Sequence, residues 1–282
     1  MPRCCPRRCK RCLKPCLGRT ISFCFPQCLP ECIWNCIVNR RVGKNPPANP
    51  TVLFHSPSGC DPVELAVNDL PSKDPETLRL VIISDTHERH RLVTVPEGDV
   101  LLHCGDILMS SSLAVQRRGE KVLRDFNAWL EGLPCHEKVV IGGNHDTALQ
   151  RCENGQKLLS AAFLLQDSSI TLPRAGIKVY GNAFSEGCSH NSAWQEPLVS
   201  CSSCSKDADV VLTHGLSSAI VKAVLSQSRP RLWASGHAHE NHGLEEKDGT
   251  LFANAAIMNG RYEPVQSPVV VDLRMPSNPS CL

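Results

Sequence analysis

The sequence predicts an α/β fold, and three observations carry that reading. Five short apolar runs, Val81–Ile83, Val100–Leu102, Val139–Ile141, Val210–Leu212 and Leu232–Ser235, have the length and composition of buried strands. Between them, the segment Leu113–Leu133 repeats Val122, Leu123, Phe126, Trp129, Leu130 and Leu133 at three- and four-residue intervals, which makes one apolar helical stripe. Each run also ends at once in Asp, Asn or His, often beside a glycine. In open α/β sheets ligands collect at the carboxyl ends of strands, so side chains placed there can converge.

The net charge of +2 over 282 residues hides a split: residues 1–44 carry +9 and the remainder −7. Nine of the 17 cysteines lie in the first 36 residues, and Cys24, Cys28, Cys32 and Cys36 recur every four. Pro26 and Pro30 oppose a regular helix through that repeat. Three readings of this tail stand side by side: a disordered low-complexity segment, S-acylated cysteines beside a lipid-binding basic cluster, or a metal-bound or disulfide-linked tail. No run of 18 uncharged apolar residues is present, so a membrane-spanning helix is not expected. The scattered cysteines of the body suit a reducing compartment, and the expected location is the cytoplasm, with membrane association following only from the S-acylated reading of the tail. Specific nucleic-acid binding is not expected.

Residues 45–76, rich in Pro, Asn and Ser, read as a linker, so the folded domain is expected over 77–275, with a short tail at 276–282. The first strand delivers Asp85 and His87, and the second delivers His103 and Gly105-Asp106. Pro134 closes the long helix, and a third strand is expected from Lys138, running into Gly143-Asn144-His145-Asp146. Further on, Gln156–Gln166 reads as helix, and Ile170–Leu172 and Ile177–Tyr180 as two strands joined at Pro173–Gly176. The polar stretch 187–206 reads as a long loop of the kind that shapes access to sites. Its Cys188, His190, Cys201 and Cys204 read as solvated loop residues, with a small zinc site as the competing reading. His214 follows the fourth run and Ser217–Ser228 reads as a short helix. His237 and His239 follow the fifth, and strands at Thr250–Ala253 and Pro268–Leu273 close the domain.

Beside these motifs, His103 reads as structural or as supporting a metal-facing residue from behind, and Arg89, His90 and Asp146 as touching phosphate, orienting His145 or simply solvated. His242 reads as a bystander, and Arg117, Arg118, Lys121 and Arg124 as an exposed helix face.

In order and type, Asp85-x-His87, Gly105-Asp106, Gly143-Asn144-His145-Asp146, His214 and Gly236-His237-x-His239 resemble the signature of calcineurin-like metallophosphoesterases. The flanking phrases Ser84–His87, Gly98–His103, Phe126–Leu130 and Val211–Gly215 are most similar to the small metallophosphoesterase-domain proteins and the class III cyclic nucleotide phosphodiesterases. The resemblance covers roughly residues 79–273. It implies a four-layer α/β sandwich of two mixed sheets flanked by helices.

The resemblance also implies two divalent ions about 3.5–4 Å apart that clamp phosphate oxygens and lower the pKa of a water. Asp85, His87, Asp106 and His239 would hold the first ion; Asp106, shared, with Asn144, His214 and His237, would hold the second. Mixed nitrogen and oxygen donors favour Mn²⁺ or Fe, with Zn²⁺ or Mg²⁺ as the other choices. His145 would be the non-ligand histidine near the leaving oxygen, catalytic together with the bridging Asp106.

Two features refine this expectation. The protein serine/threonine phosphatases extend Gly-Asp with a further Asp and Arg, which Gly105–Ser110 lacks. That leaves no carboxylate identified for pairing with His145. Both His237 and His239 are kept, so the dinuclear set is complete in sequence. The expected function is metal-dependent hydrolysis of small phosphodiesters, cyclic nucleotides or related esters. The alternative is a membrane-tethered nucleotide-binding or scaffold protein.

Overall fold

A computed structural model describes residues 46–59, 61–109, 116–186, 191, 193–195 and 206–275. The two tails and the Cys188, His190, Cys201 and Cys204 group lie outside the described residues. In chain order the strands are β1 (Thr51–His55), β2 (Val63–Ala66), β3 (Thr77–Ile83), β4 (Gly98–His103), β5 (Cys135–Val140), β6 (Phe163–Leu164), β7 (Ser168–Thr171), β8 (Lys178–Asn182), β9 (Val210–Thr213), β10 (Leu232–Ser235), β11 (Gly243–Lys247), β12 (Thr250–Asn254) and β13 (Val269–Arg274). The helices are α1 (Gln116–Glu131), α2 (Thr147–Gln150), α3 (Gly155–Leu158) and α4 (Ser218–Leu225).

The strands form two mixed sheets, one ordered β2-β1-β13-β3-β4-β5-β6 and the other β11-β12-β10-β9-β8-β7. Strands β3, β4, β5 and β6 run parallel, as do β8, β9, β10 and β12. Side chains alternate across a strand, so a strand that is apolar throughout must be covered on both faces. Leu80, Ile82, Val100, Leu102 and Val139 meet Val179, Val210, Leu212 and Leu232 between the sheets. On the outer face of the first sheet, Val81, Ile83, Leu101 and Val140 meet Leu123, Phe126, Trp129 and Leu130 of α1. On the outer face of the second, Tyr180, Val211 and Trp233 meet Ile220 and Val224 of α4. The layers are therefore helix, sheet, sheet, helix, as the resemblance implies.

Several expectations need correction. The segment read as linker holds β1 and β2: β1 lies parallel to β13, and β2 closes the sheet edge. Val52 and Phe54 point inward and are buried, so the folded body starts near Thr51 rather than Thr77. The prolines and asparagines that suggested a linker flank the strand without interrupting it. Strand β5 begins at Cys135, directly after Pro134, rather than at Lys138. The helix expected over Gln156–Gln166 is a single turn, α3, because Phe163 and Leu164 pair with Val139 and Val140 as β6. Strand β11 was not anticipated; it pairs antiparallel with β12 across Asp248-Gly249, both at positive φ.

A buried ion pair ties the middle of the first sheet. Arg79 on β3 donates from Nε and from a terminal nitrogen to the Asp272 carboxylate on β13, at 2.8 and 2.7 Å. Its guanidinium carbon also lies 5.9 Å from the centre of the Phe54 ring on β1. Removing residues 1–76 deletes that cover along with β1 and β2. Burial of a side chain such as Val52 or Phe54 is worth about 1.5–3 kcal/mol each. A chain starting at Thr77 is therefore expected to unfold at a clearly lower temperature, or less cooperatively, than one starting at Pro46. Thermal melts of the two followed by circular dichroism check this, and coincident curves would contradict it.

Candidate metal centre

All the residues of the predicted dinuclear set sit beyond the carboxyl ends of parallel strands on one rim. Asp85 and His87 follow β3, Asp106 follows β4, and Asn144 and His145 follow β5. His214 follows β9, while His237 and His239 follow β10, so the two sheets contribute from opposite sides. The turns are tight. Asp85, His87, Asp106 and His237 all have positive φ, a conformation that costs about 1–3 kcal/mol and that clusters at functional sites. Two glycines make the close approach possible. A Cβ on Gly143 would run into the Asp106 carboxylate, and one on Gly236 would run into Ser84 and the Asp85 carboxylate.

Asp106 is the meeting point. Its Oδ2 lies 3.7 Å from Nε2 of His87, 3.3 Å from Nε2 of His214 and 3.8 Å from Nε2 of His145. Its Oδ1 accepts from the backbone N–H of His145 at 2.9 Å. Around it the side chains fall into overlapping groups. Asp85, His87 and His239 form one, His87, Asp106 and His145 a second, and Asp106, His214 and His237 a third, and within each the candidate ligand atoms lie within 4.8 Å of one another. Asn144 belongs beside the third group, with its Oδ1 3.0 Å from Nε2 of His214.

The imidazoles are aimed by backbone carbonyls. Nδ1 of His87 donates to Leu108 O at 2.9 Å, and Nδ1 of His214 donates to Cys104 O at 2.8 Å. Nδ1 of His239 donates to Asn259 O at 3.1 Å. In each ring the tautomer is thereby fixed and Nε2 faces the cluster, the usual arrangement of metal-binding histidine. His145 follows the same rule, donating from Nδ1 to Met109 O at 2.8 Å while Nε2 accepts from Asn191 Nδ2 at 3.0 Å. The partner that orients His145 is therefore a carbonyl, and no paired carboxylate is required.

Electrostatics suit a cation. Burial opposes ionisation of Asp106, but His214, His145 and His87 outweigh it and hold the carboxyl well below the usual range. Asp85 is likewise held low, mainly by His239 against the effect of burial. Burial pushes His87 down to about 3 and, with His214 nearby, His237 to about 4, so both offer neutral nitrogen donors. His214 goes the other way, up to about 9, because Asp106 and Asp85 overcome its burial. Two ionised carboxylates thus draw positive charge into a buried pocket, which is the charge a divalent ion supplies. Carboxylate, carboxamide and imidazole donors together fit a divalent metal centre.

The neighbouring residues resolve as follows. Asp146 does not face His145 or solvent. Its carboxylate is fully buried and accepts from the backbone N–H groups of Leu108 (2.8 Å), Gly143 (2.9 Å) and Ile107 (3.2 Å). It clamps the loop carrying Asp106 to the turn carrying Asn144, and burial with Asp106 nearby pushes it up to about 7. His103 is structural as expected, accepting from Gly105 N and bonding Thr86 Oγ1 at 3.1 Å. His90 turns away to Asp125 on α1, and His242 bonds Ser267 O. Arg117, Arg118, Lys121 and Arg124 are exposed on α1, with Arg118 paired to Glu88. Sequence reading missed Asn191, Asn259 and Tyr262, none of which belongs to a strand-end motif.

This fold and this cluster define a class, and comparison with known proteins agrees. Residues 78–274 match the model of the calcineurin-like phosphoesterase superfamily domain, and the chain belongs to that family. It is 28% identical over 284 residues to metallophosphoesterase domain-containing protein 1 of Homo sapiens, covering 82% of this chain and 84% of that protein. The Mus musculus protein of the same name gives the same values. A UPF0046 protein of Caenorhabditis elegans is 28% identical over 237 residues, 72% of this chain and 78% of the relative. By family membership the chain is a metal-dependent phosphoesterase, and its buried His and Asp groups fit a dinuclear centre.

The role of Asp146 is open to a direct check. Asp146→Asn replaces one acceptor oxygen with a donor that faces backbone N–H groups. Leaving such buried groups unpaired costs about 1–3 kcal/mol. The variant is expected to melt earlier and, through displaced ligands, to hold metal about 10- to 100-fold more weakly. Differential scanning calorimetry and metal titration of the purified protein measure both. Unchanged metal affinity would mean that the clamp does not position the ligands.

Proposed function

We propose that this protein hydrolyses small phosphodiesters, cyclic nucleotides and related esters among them, at a dinuclear metal site. The single observation that carries the proposal is the position of Asp106 Oδ2 between Nε2 of His87 and Nε2 of His214, at 3.7 and 3.3 Å, one from each sheet. A carboxylate so placed suits the bridge between two cations. Asp85, His87, Asp106 and His239 would hold one ion, and Asp106, Asn144, His214 and His237 the other. The ions, Mn²⁺ or Fe by preference and Zn²⁺ or Mg²⁺ otherwise, supply charge neutralisation at the phosphate and a nucleophile at neutral pH.

The remaining work falls to the chain's own groups. His145 lies beside the cluster, with Nδ1 tied to Met109 O and Nε2 facing inward. When protonated at Nε2 it is a suitable acid for the leaving oxygen, and Asn191 can follow by turning its amide so that the oxygen accepts. A cleft of about 560 Å³ opens beside His237, lined among others by Glu186, Leu216, Ser217, Phe252 and Asn254. It is of the size that suits a small ligand and supports a small phosphodiester over a protein substrate.

Turnover of a phosphodiester panel by purified protein with Mn²⁺, against a chelated control, tests this reading. Binding without turnover would favour a nucleotide-binding or scaffold role instead. Two substitutions separate the parts. Asp106→Asn is expected to lower activity more than Asn144→Ala, since only Asp106 belongs to both proposed ligand sets. Equal losses with two ions still bound would remove the bridging assignment. His145→Ala is expected to keep its metal while kcat falls about 10²- to 10⁴-fold, less so for esters with good leaving groups. Metal loss in that variant, measured by elemental analysis, would contradict the acid role.

A further inference from the structure

Resting on the phosphoester-site reading above, we infer that Tyr262 is a specificity-determining residue whose ring forms an aromatic wall at the first-ion side and packs on the ester group of the substrate. Tyr262 lies on the loop between β12 and β13, far in sequence from every strand-end motif. Its ring centre stands 4.8 Å from that of His87, 5.0 Å from His239 and 6.3 Å from His145. The ring therefore touches two residues of the first metal group and the candidate acid together. The residue is half-buried.

The loop is built to hold the ring there. Tyr262 has φ 58°, a left-handed conformation that a bulky residue keeps only when its surroundings enforce it. Asn259 does much of the enforcing. Its carbonyl accepts from Tyr262 N at 2.9 Å and from His239 Nδ1 at 3.1 Å, so one peptide group sets both the ring and a metal-facing imidazole. Its side chain accepts from the N–H groups of Arg261 and Glu263 and donates to the Glu263 carboxylate. Gln266 then fastens the loop base by donating to the carbonyls of His239, Ala256 and Met258. Filling space between two histidines could be done by any apolar side chain in relaxed backbone. A strained, clamped aromatic ring next to the candidate acid is placed to contact a flat or apolar ester group.

The test reads binding, so it does not depend on turnover. Mn²⁺-loaded wild type, Tyr262→Phe and Tyr262→Leu are titrated calorimetrically with phenylphosphonate and with methylphosphonate, and metal content is measured in each. Wild type and Tyr262→Phe are expected to prefer the phenyl ligand. Tyr262→Leu is expected to keep its metal and its affinity for methylphosphonate but to lose about three- to tenfold of that preference, the size of one aromatic pair. An equal loss for both ligands, or loss of metal, would show that the ring acts only through His87 and His239 and would overturn the inference. Failure of either phosphonate to bind wild type would overturn it as well. Wild type that discriminates between the phosphonates yet hydrolyses no diester would refute the activity proposed above and leave the wall standing.

Discussion

A buried carboxylate surrounded by imidazoles is the constraint that organises this rim. Asp106 is almost fully enclosed, and an isolated charge in such a place is costly. It is stabilised because Nε2 atoms of His87, His145 and His214 face it and a backbone N–H caps its other oxygen. Those rings come from both sheets, which pack face to face, so the carboxyl ends of strands from both must meet at one rim for the charge to be satisfied. The bridge between Ser84 and Ala256, with Ile257 N donating to Ser84 O at 2.9 Å, is where they do.

The cluster draws on the backbone as much as on side chains. Carbonyls of Leu108, Met109, Cys104 and Asn259 each take the Nδ1 proton of one histidine and so turn Nε2 inward. Asp146 in turn secures the peptide groups of Ile107 and Leu108, the second of which supplies one of those carbonyls. Positive φ at Asp85, His87, Asp106 and His237 is the conformational cost of compressing so many metal-competent side chains into five short turns. That cost is offset by the packing of three apolar layers beneath the rim, where the strands are rigid because both their faces are covered.

The second sheet does more than mirror the first. It brings His214, His237 and His239, and it frames the cleft beside His237 with α4 and β11. On the far side, the loop after β12 brings Tyr262 against His87 and His239. The cluster is thus bordered by this cleft beside His237 and by the Tyr262 ring beside His87 and His239.

What the sequence determined by itself was the set of strand-end residues. An apolar run ending in Asp, Asn or His is a local signal, and five of them in order specify both the parallel strands and the residues at their tips. The long helix was legible for the same reason, since its stripe of Leu123, Phe126, Trp129 and Leu130 is periodic. The first two strands were not legible, because β1 is recognisable as strand only by its partner β13, more than 200 residues away, while its flanking prolines speak locally for a linker. The one-turn helix α3 and strand β6 were obscured likewise, since pairing with Val139 and Val140 overrides the local helical pattern. At the site, Asn191, Asn259 and Tyr262 carry no motif, and their roles arise from non-local contacts with His145, His239 and His87. Which side chains gather at the rim was written in local chemistry, whereas the aim of each ring and what borders the cluster were decided only when distant loops folded onto the same rim.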